Sequence, residues 1–155
     1  MHSIGFQARH NYSDEPLGIA VPIELGYGRN SLRLTAKVDT GAEFCLFARG
    51  LGEALGIDVE SGERKELRTA NSSFVAFGHE VSLRVLGFDF SLVAFFPLDS
   101  GINRNLLGRQ GWLLQVRLGL VDYEQLIYLS KYDDQHATRL RLSPCVPQAG
   151  PFLLR

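Results

Sequence analysis

The chain has 155 residues, the size of one domain, which leaves room for one core and excludes two full ones. Apolar residues make up 45% and charged residues 21%, an ordinary globular composition that excludes a disordered, fibrous or disulfide-framework chain. Sixteen Lys and Arg against seventeen Asp and Glu leave a formal charge of -1, so there is no global electrostatic drive toward nucleic acid or an anionic membrane.

Met1 to Phe6 lacks the basic cluster and apolar run of a signal peptide, and no stretch approaches the ~18 apolar residues of a membrane span. Neither a membrane nor a nucleic-acid partner is expected. Cys45 and Cys145 have neither CxxC nor Cys/His metal spacing, so two free thiols in a reducing cytoplasm are expected. Residues 1–17 are polar and without period, which reads as a flexible N-terminal arm. From Gly18 the pattern turns extended. Ile19, Val21, Ile23 and Leu25 alternate with small or polar residues, and Leu32, Leu34, Ala36 and Val38 repeat this after the turn-prone Gly26 to Asn30. This predicts a hairpin whose second strand runs into Asp39-Thr40-Gly41-Ala42. An apolar run from Phe44 to Phe47 follows, then one or two helical turns between Arg49 and Gly56, weakened by glycines.

After Glu60-Ser61-Gly62-Glu63 comes a second extended pair, Lys65 to Ala70 and Phe74 to Leu86, hinged at Asn71-Ser72-Ser73. Phe88 to Phe96 is apolar on both faces, as for a strand covered on both sides, and Pro97 to Gly101 ends it. Leu106-Leu107-Gly108 leads into the best helix candidate, Arg109 to Gln115, and then into strands over Val116 to Val121 and Gln125 to Leu129. From Lys131 no period predicts structure. The class is mainly β, with a folded domain over 18–130 and a C-terminal extension over 131–155.

The segment Leu34 to Ala42 is a strand ending in a carboxylate, a hydroxyl and a glycine. A strand end can aim an aspartate into a cleft, a glycine next but one permits a tight turn, and a threonine hydroxyl can lock that turn by hydrogen bonding. Further along, Asn105-Leu106-Leu107-Gly108-Arg109 sets two aliphatics, a glycine and an arginine before the helix candidate.

Asp39-Thr40-Gly41-Ala42 followed by Leu106-Leu107-Gly108-Arg109 resembles the retropepsins, the single-domain aspartic proteases related to retroviral protease. The resemblance spans about residues 18 to 130 and includes order as well as motifs: hairpin, Asp-Thr-Gly loop, long flap hairpin, apolar-apolar-Gly, short helix, closing strands. It implies a retropepsin-like closed β-barrel, the acid-protease fold, with a flap hairpin and one short C-terminal helix. It implies that Asp39 is the catalytic aspartate, that the Thr40 hydroxyl interlocks two active-site loops across a dimer axis, and that Gly41 offers backbone to a peptide. Ala42 and the flap residues Ala70, Asn71, Ser72, Ser73 and Phe74 would contact substrate. Gly108 would pass close behind the Asp39 loop, with Leu106 and Leu107 packed beneath it, and Glu43 would form a salt bridge with Arg109. The flap of retroviral proteases is glycine-rich, whereas here the tip has no glycine before Gly78.

The chemistry implied is peptide hydrolysis by an aspartic endopeptidase without cofactor or metal. Two carboxylates about 3 Å apart share one proton, one polarising the carbonyl while the other takes a proton from the attacking water. Asp39 is the only aspartate followed by Thr-Gly, and one such loop per chain implies that activity needs a C2 homodimer with one site on its axis, acting on a peptide or protein. The alternative is a catalytically silent retropepsin-fold module that binds peptide or dimerises. Coincidence of Asp-Thr-Gly in an unrelated barrel remains a third possibility, excluded if Leu106-Leu107-Gly108 packs on the Asp39 loop.

The remaining reactive side chains read as structural. His2, His10, His79 and His136 have no second ligand at metal spacing and read as surface histidines, and Cys45 as a small buried hydrophobe. The ten phenylalanines and Trp112 read as core, with Phe74 and Phe77 near the flap placed to face substrate.

Overall fold

The computed structural model describes residues 4–13, 18–69 and 71–132. In chain order the strands are β1 (Ala8–Asn11), β2 (Ala20–Tyr27), β3 (Asn30–Val38), β4 (Cys45–Leu46), β5 (Glu63–Arg68), β6 (Ser73–Val85), β7 (Phe88–Pro97), β8 (Leu106–Leu107), β9 (Val116–Val121) and β10 (Leu126–Lys131). The α-helix α1 spans Arg49–Ala54. No helix is long and apolar enough to cross a membrane.

Strands β2-β3-β8-β4-β7-β6 are hydrogen-bonded in that order, and β6 pairs back onto β2, closing a barrel with β5 on its outside. The alternation that predicted the first hairpin places Val21, Ile23 and Leu25 inside, in register from Ala20 opposite Lys37 to Tyr27 opposite Asn30. The barrel is filled by Leu25, Leu83, Val85, Phe47, Phe96, Leu107 and Trp112, all fully buried. In β7, Phe90 and Leu92 face inward while Asp89, Ser91 and Val93 are exposed, and only Ala94 to Pro97 is covered on both faces. Double coverage is thus limited to the end that runs beside β4.

Two element assignments are corrected. The helix expected over Arg109 to Gln115 is a single 3-10 turn, Leu113–Gln115. The N–H groups of Arg109 and Gln110 bond to the carbonyls of Ala42 and Glu43, and Gly111 adopts φ +102°, so helical geometry cannot begin before Trp112. Part of the N-terminal arm is ordered: β1 pairs antiparallel with β10, Ala8 opposite Leu129 and Asn11 opposite Leu126, in a second sheet of order β1-β10-β9. Tyr12 is buried behind it and donates its hydroxyl to Asp122. The rest of the arm (1–3 and 14–17) and the extension from 133 onward, with Cys145 and His136, lie outside the described residues.

His79 is half-buried rather than on the surface, with Nε2 2.8 Å from the Val59 carbonyl and its ring edge-on to Phe96. Cys45 is fully buried as expected, and burial pushes its thiol up to about 11. The unfolded thiol ionises near 9.0 while the folded one stays protonated to about 11, so its contribution to stability is complete below pH 9 and falls by roughly 1.4 kcal/mol per pH unit above it. The difference in unfolding free energy between wild type and Cys45→Ala, measured by urea titration from pH 8 to 11, should shrink across that window. A constant difference would contradict this assignment.

Candidate active site

Asp39 leaves the barrel wall where β3 ends. Lys37 and Val38 pair in parallel with Leu106 and Leu107 of β8, and the Asp39 N–H donates to the Leu107 carbonyl at 3.1 Å. The chain then reverses so that the N–H groups of Gly41 and Ala42 donate to Asp39 Oδ1 at 2.9 and 3.1 Å. One carboxylate oxygen is therefore fixed by backbone, while Oδ2 has no partner within the chain among the described residues. Thr40 and Gly41 are exposed, and no hydrogen bond within the described residues engages the Thr40 hydroxyl.

The segment expected to support this loop does so. Gly108 is buried with its backbone against the loop, and a Cβ there would overlap the Phe44 carbonyl and stand 3.0 Å from the Ala42 oxygen. Close approach of two backbones, rather than an unusual dihedral, is what demands glycine at this position. Leu107 is fully buried beneath the loop and Leu106, half-buried, reaches the cleft wall. Packing of Leu106-Leu107-Gly108 on the Asp39 loop excludes a coincidental Asp-Thr-Gly in an unrelated barrel.

The Glu43–Arg109 salt bridge does not form. Glu43 Oε1 accepts from Gln110 Nε2 at 3.0 Å, and Arg109 is exposed without an ion pair among the described residues. Gln110 bridges to Phe44 in parallel register, and successive residues of extended chain point to opposite sides, so turning Gln110 toward Glu43 turns Arg109 away.

In front of Asp39 lies a cleft of about 850 Å³ between the Asp39 loop, the β5–β6 hairpin and the loop 101–104. Its apolar surface comes from Leu46, Leu67, Phe74, Ile102 and Leu106, which pack onto a small cluster with Phe95. The hairpin overhanging it is the flap expected from the sequence. Its end is closed by Thr69: the Thr69 N–H donates to the Ser72 carbonyl at 2.7 Å, and the Ser72 N–H donates to Thr69 Oγ1 at 3.1 Å. A side chain thus does the bonding that fixes this tip, in place of the glycines of retroviral flaps. Of the expected flap residues, Ser72, Phe74 and the loop residue Ala42 line the cleft. Asn71 and Ser73 are exposed, Ser73 donating its hydroxyl to Glu66 at 2.6 Å, and Ala70 lies outside the described residues. Phe77 is buried in the barrel rather than facing the cleft.

Sequence reasoning missed Lys65, Leu67 and Thr69 on the near strand of the hairpin and Ile102 and Arg104 on the opposite loop, all of which line the cleft. Period-2 alternation in Lys65 to Thr69 was a usable signal for Lys65 and Leu67; nothing in residues 101–104 marks that loop as a wall. Among the described residues no group of three His, Cys, Asp or Glu side chains is placed to hold a metal ion.

None of the curated proteins matches the chain in sequence. Among solved structures the chain is similar to a retropepsin-like aspartic protease from Rickettsia conorii, with a TM-score of 0.59 at 18% identity, covering 83% of this chain and 100% of that one. At that identity the likeness establishes the fold. A family model described as aspartyl protease matches residues 21–111, more than half of the chain and inclusive of the Asp39 loop, Gly108 and Gly111. The chain belongs to the aspartyl protease family.

Proposed function

We propose that the protein is an aspartic endopeptidase in which Asp39 and Asp39 of the partner subunit activate a water across a homodimer axis. The observation that carries this is the Asp39 carboxylate itself: Oδ1 is pinned by two backbone N–H groups at the mouth of a flap-covered cleft, and Oδ2 has no intrachain partner among the described residues. Such a carboxylate is held at fixed orientation without being neutralised, as general acid–base work requires. Among the described residues Asp39 is the only aspartate lining the cleft. A second one must come from another copy, and the exposed Thr40 and Gly41 leave this loop free to meet its own image.

In the dimer the two carboxylates share one proton. One donates it to the oxygen of the scissile carbonyl while the other accepts a proton from the water that attacks the carbonyl carbon, giving a tetrahedral diol. Collapse breaks the C–N bond, with a proton delivered to the leaving nitrogen. The flap excludes bulk water over an extended substrate.

The test is cleavage of a peptide library between pH 3 and 8 at a series of enzyme concentrations, with sedimentation at the same concentrations. Specific activity should rise with concentration and level off as the dimer saturates. A dimer inactive on every peptide at every pH would overturn the proposal in favour of a silent peptide-binding module.

A further inference from the structure

Lys65 sits on β5, where alternation turns Lys65 and Leu67 inward and leaves Glu66 and Arg68 exposed. Its ammonium lies 4.1 Å from the centroid of the Phe44 ring, which lines the cleft, and 5.5 Å from that of the buried Phe95, and the two rings pack at 4.8 Å. Among the described residues no carboxylate reaches ion-pair distance of it. Each acidic residue of the cleft turns one carboxylate oxygen to another donor: Asp39 Oδ1 to backbone N–H groups, Glu43 Oε1 to Gln110 and Glu66 Oε1 to Ser73. A ring face satisfies one side of an ammonium that carries three donors, and a half-buried cation beside apolar walls is short of a counter-charge.

Resting on the proposal that this cleft takes an extended peptide, we infer that Lys65 is a specificity-determining residue that receives the carboxylate of an acidic side chain of that peptide. The cavity supplies the rest of the subsite. Leu46, Phe74 and Leu106 offer apolar surface to the methylenes of a glutamate, and Arg104 on the opposite loop adds positive potential. A carboxylate arriving over Phe44 would form charge-assisted hydrogen bonds with the ammonium where a glutamine would form only neutral-acceptor ones.

The experiment measures binding, by fluorescence anisotropy, of eight-residue peptides with a fixed apolar central pair and Glu, Gln or Lys placed in turn at each flanking position. The protein is Asp39→Asn, so cleavage cannot intervene. At one position the Glu peptide should bind roughly tenfold or more tightly than its Gln counterpart, and the Lys peptide more weakly still. Lys65→Met should erase that preference, Lys65→Arg should retain it and Lys65→Glu should invert it, while Arg29→Glu on the distant β2–β3 turn should leave it unchanged. If Lys65 only latches the flap onto Phe44, Lys65→Met weakens all three peptides alike, which overturns the inference. Equal affinity for Glu and Gln peptides, or no binding of any peptide, overturns it as well. A Glu preference in a dimer whose wild-type form cleaves nothing would instead sink the protease reading and leave the subsite standing.

Discussion

Asp39→Asn is expected to lower kcat/KM for peptide cleavage at least ~10³-fold, a loss of about 4 kcal/mol of transition-state stabilisation. The amide oxygen of asparagine can accept the same N–H bonds from Gly41 and Ala42 that Asp39 Oδ1 accepts, so the loop geometry and thermal midpoint should be retained. What is lost is the group that exchanges a proton with water and substrate. The homodimer makes a second demand. When Asp39→Asn is mixed in excess with wild type and allowed to exchange subunits, heterodimers carry one carboxylate, so activity per wild-type chain should fall as the variant is added. Undiminished cleavage by Asp39→Asn would sink the catalytic assignment. Activity indifferent to the added variant would sink the shared site while leaving a monomeric one possible.

Gly108→Ala is expected to destabilise the fold by about 3 kcal/mol or more, lowering the thermal midpoint by roughly 6–12 °C, and to lower activity beyond what the lost stability explains. The added methyl would overlap the Phe44 carbonyl, a backbone atom that cannot rotate away. Relief requires moving residues 106–110 off residues 42–44. That would break the Arg109-to-Ala42 and Gln110-to-Glu43 hydrogen bonds, 2.9 and 2.7 Å, which hold the Asp39 loop from behind. Gly50→Ala provides the contrast. Its Cβ would meet nothing within 4 Å in an exposed turn of α1, so the same substitution should stabilise by about 0.5–1 kcal/mol through helix propensity alone. Equal midpoints for the two variants would refute the close-approach account of Gly108.

Much of the barrel was legible because its signals are short-range. The β2–β3 and β6–β7 hairpins follow from alternation across a turn, and α1 persists despite three nearby glycines because Leu51 and Leu55 find the core. Elements that depend on distant partners were less visible. β1 is only four residues long and its identity comes from pairing with β10, far along the chain. The helix expected at Arg109 was undone by the Asp39 loop, which holds Arg109 and Gln110 in extended chain beside residues 42–44, and by the positive φ of Gly111.

The same division holds at the candidate site. Its sequence by itself determined where a carboxylate, a hydroxyl and a glycine follow the end of the β3 strand, and that Asp-Thr-Gly occurs once in the chain, because motif order and turn chemistry are local properties. Only the tertiary structure decided that Gln110 and not Arg109 meets Glu43, that Thr69 closes the flap tip, and that the Lys65 ammonium rests on Phe44. Each of these depends on the register between segments that meet only when the barrel closes, and a shift of one residue in that register exchanges the face a side chain presents.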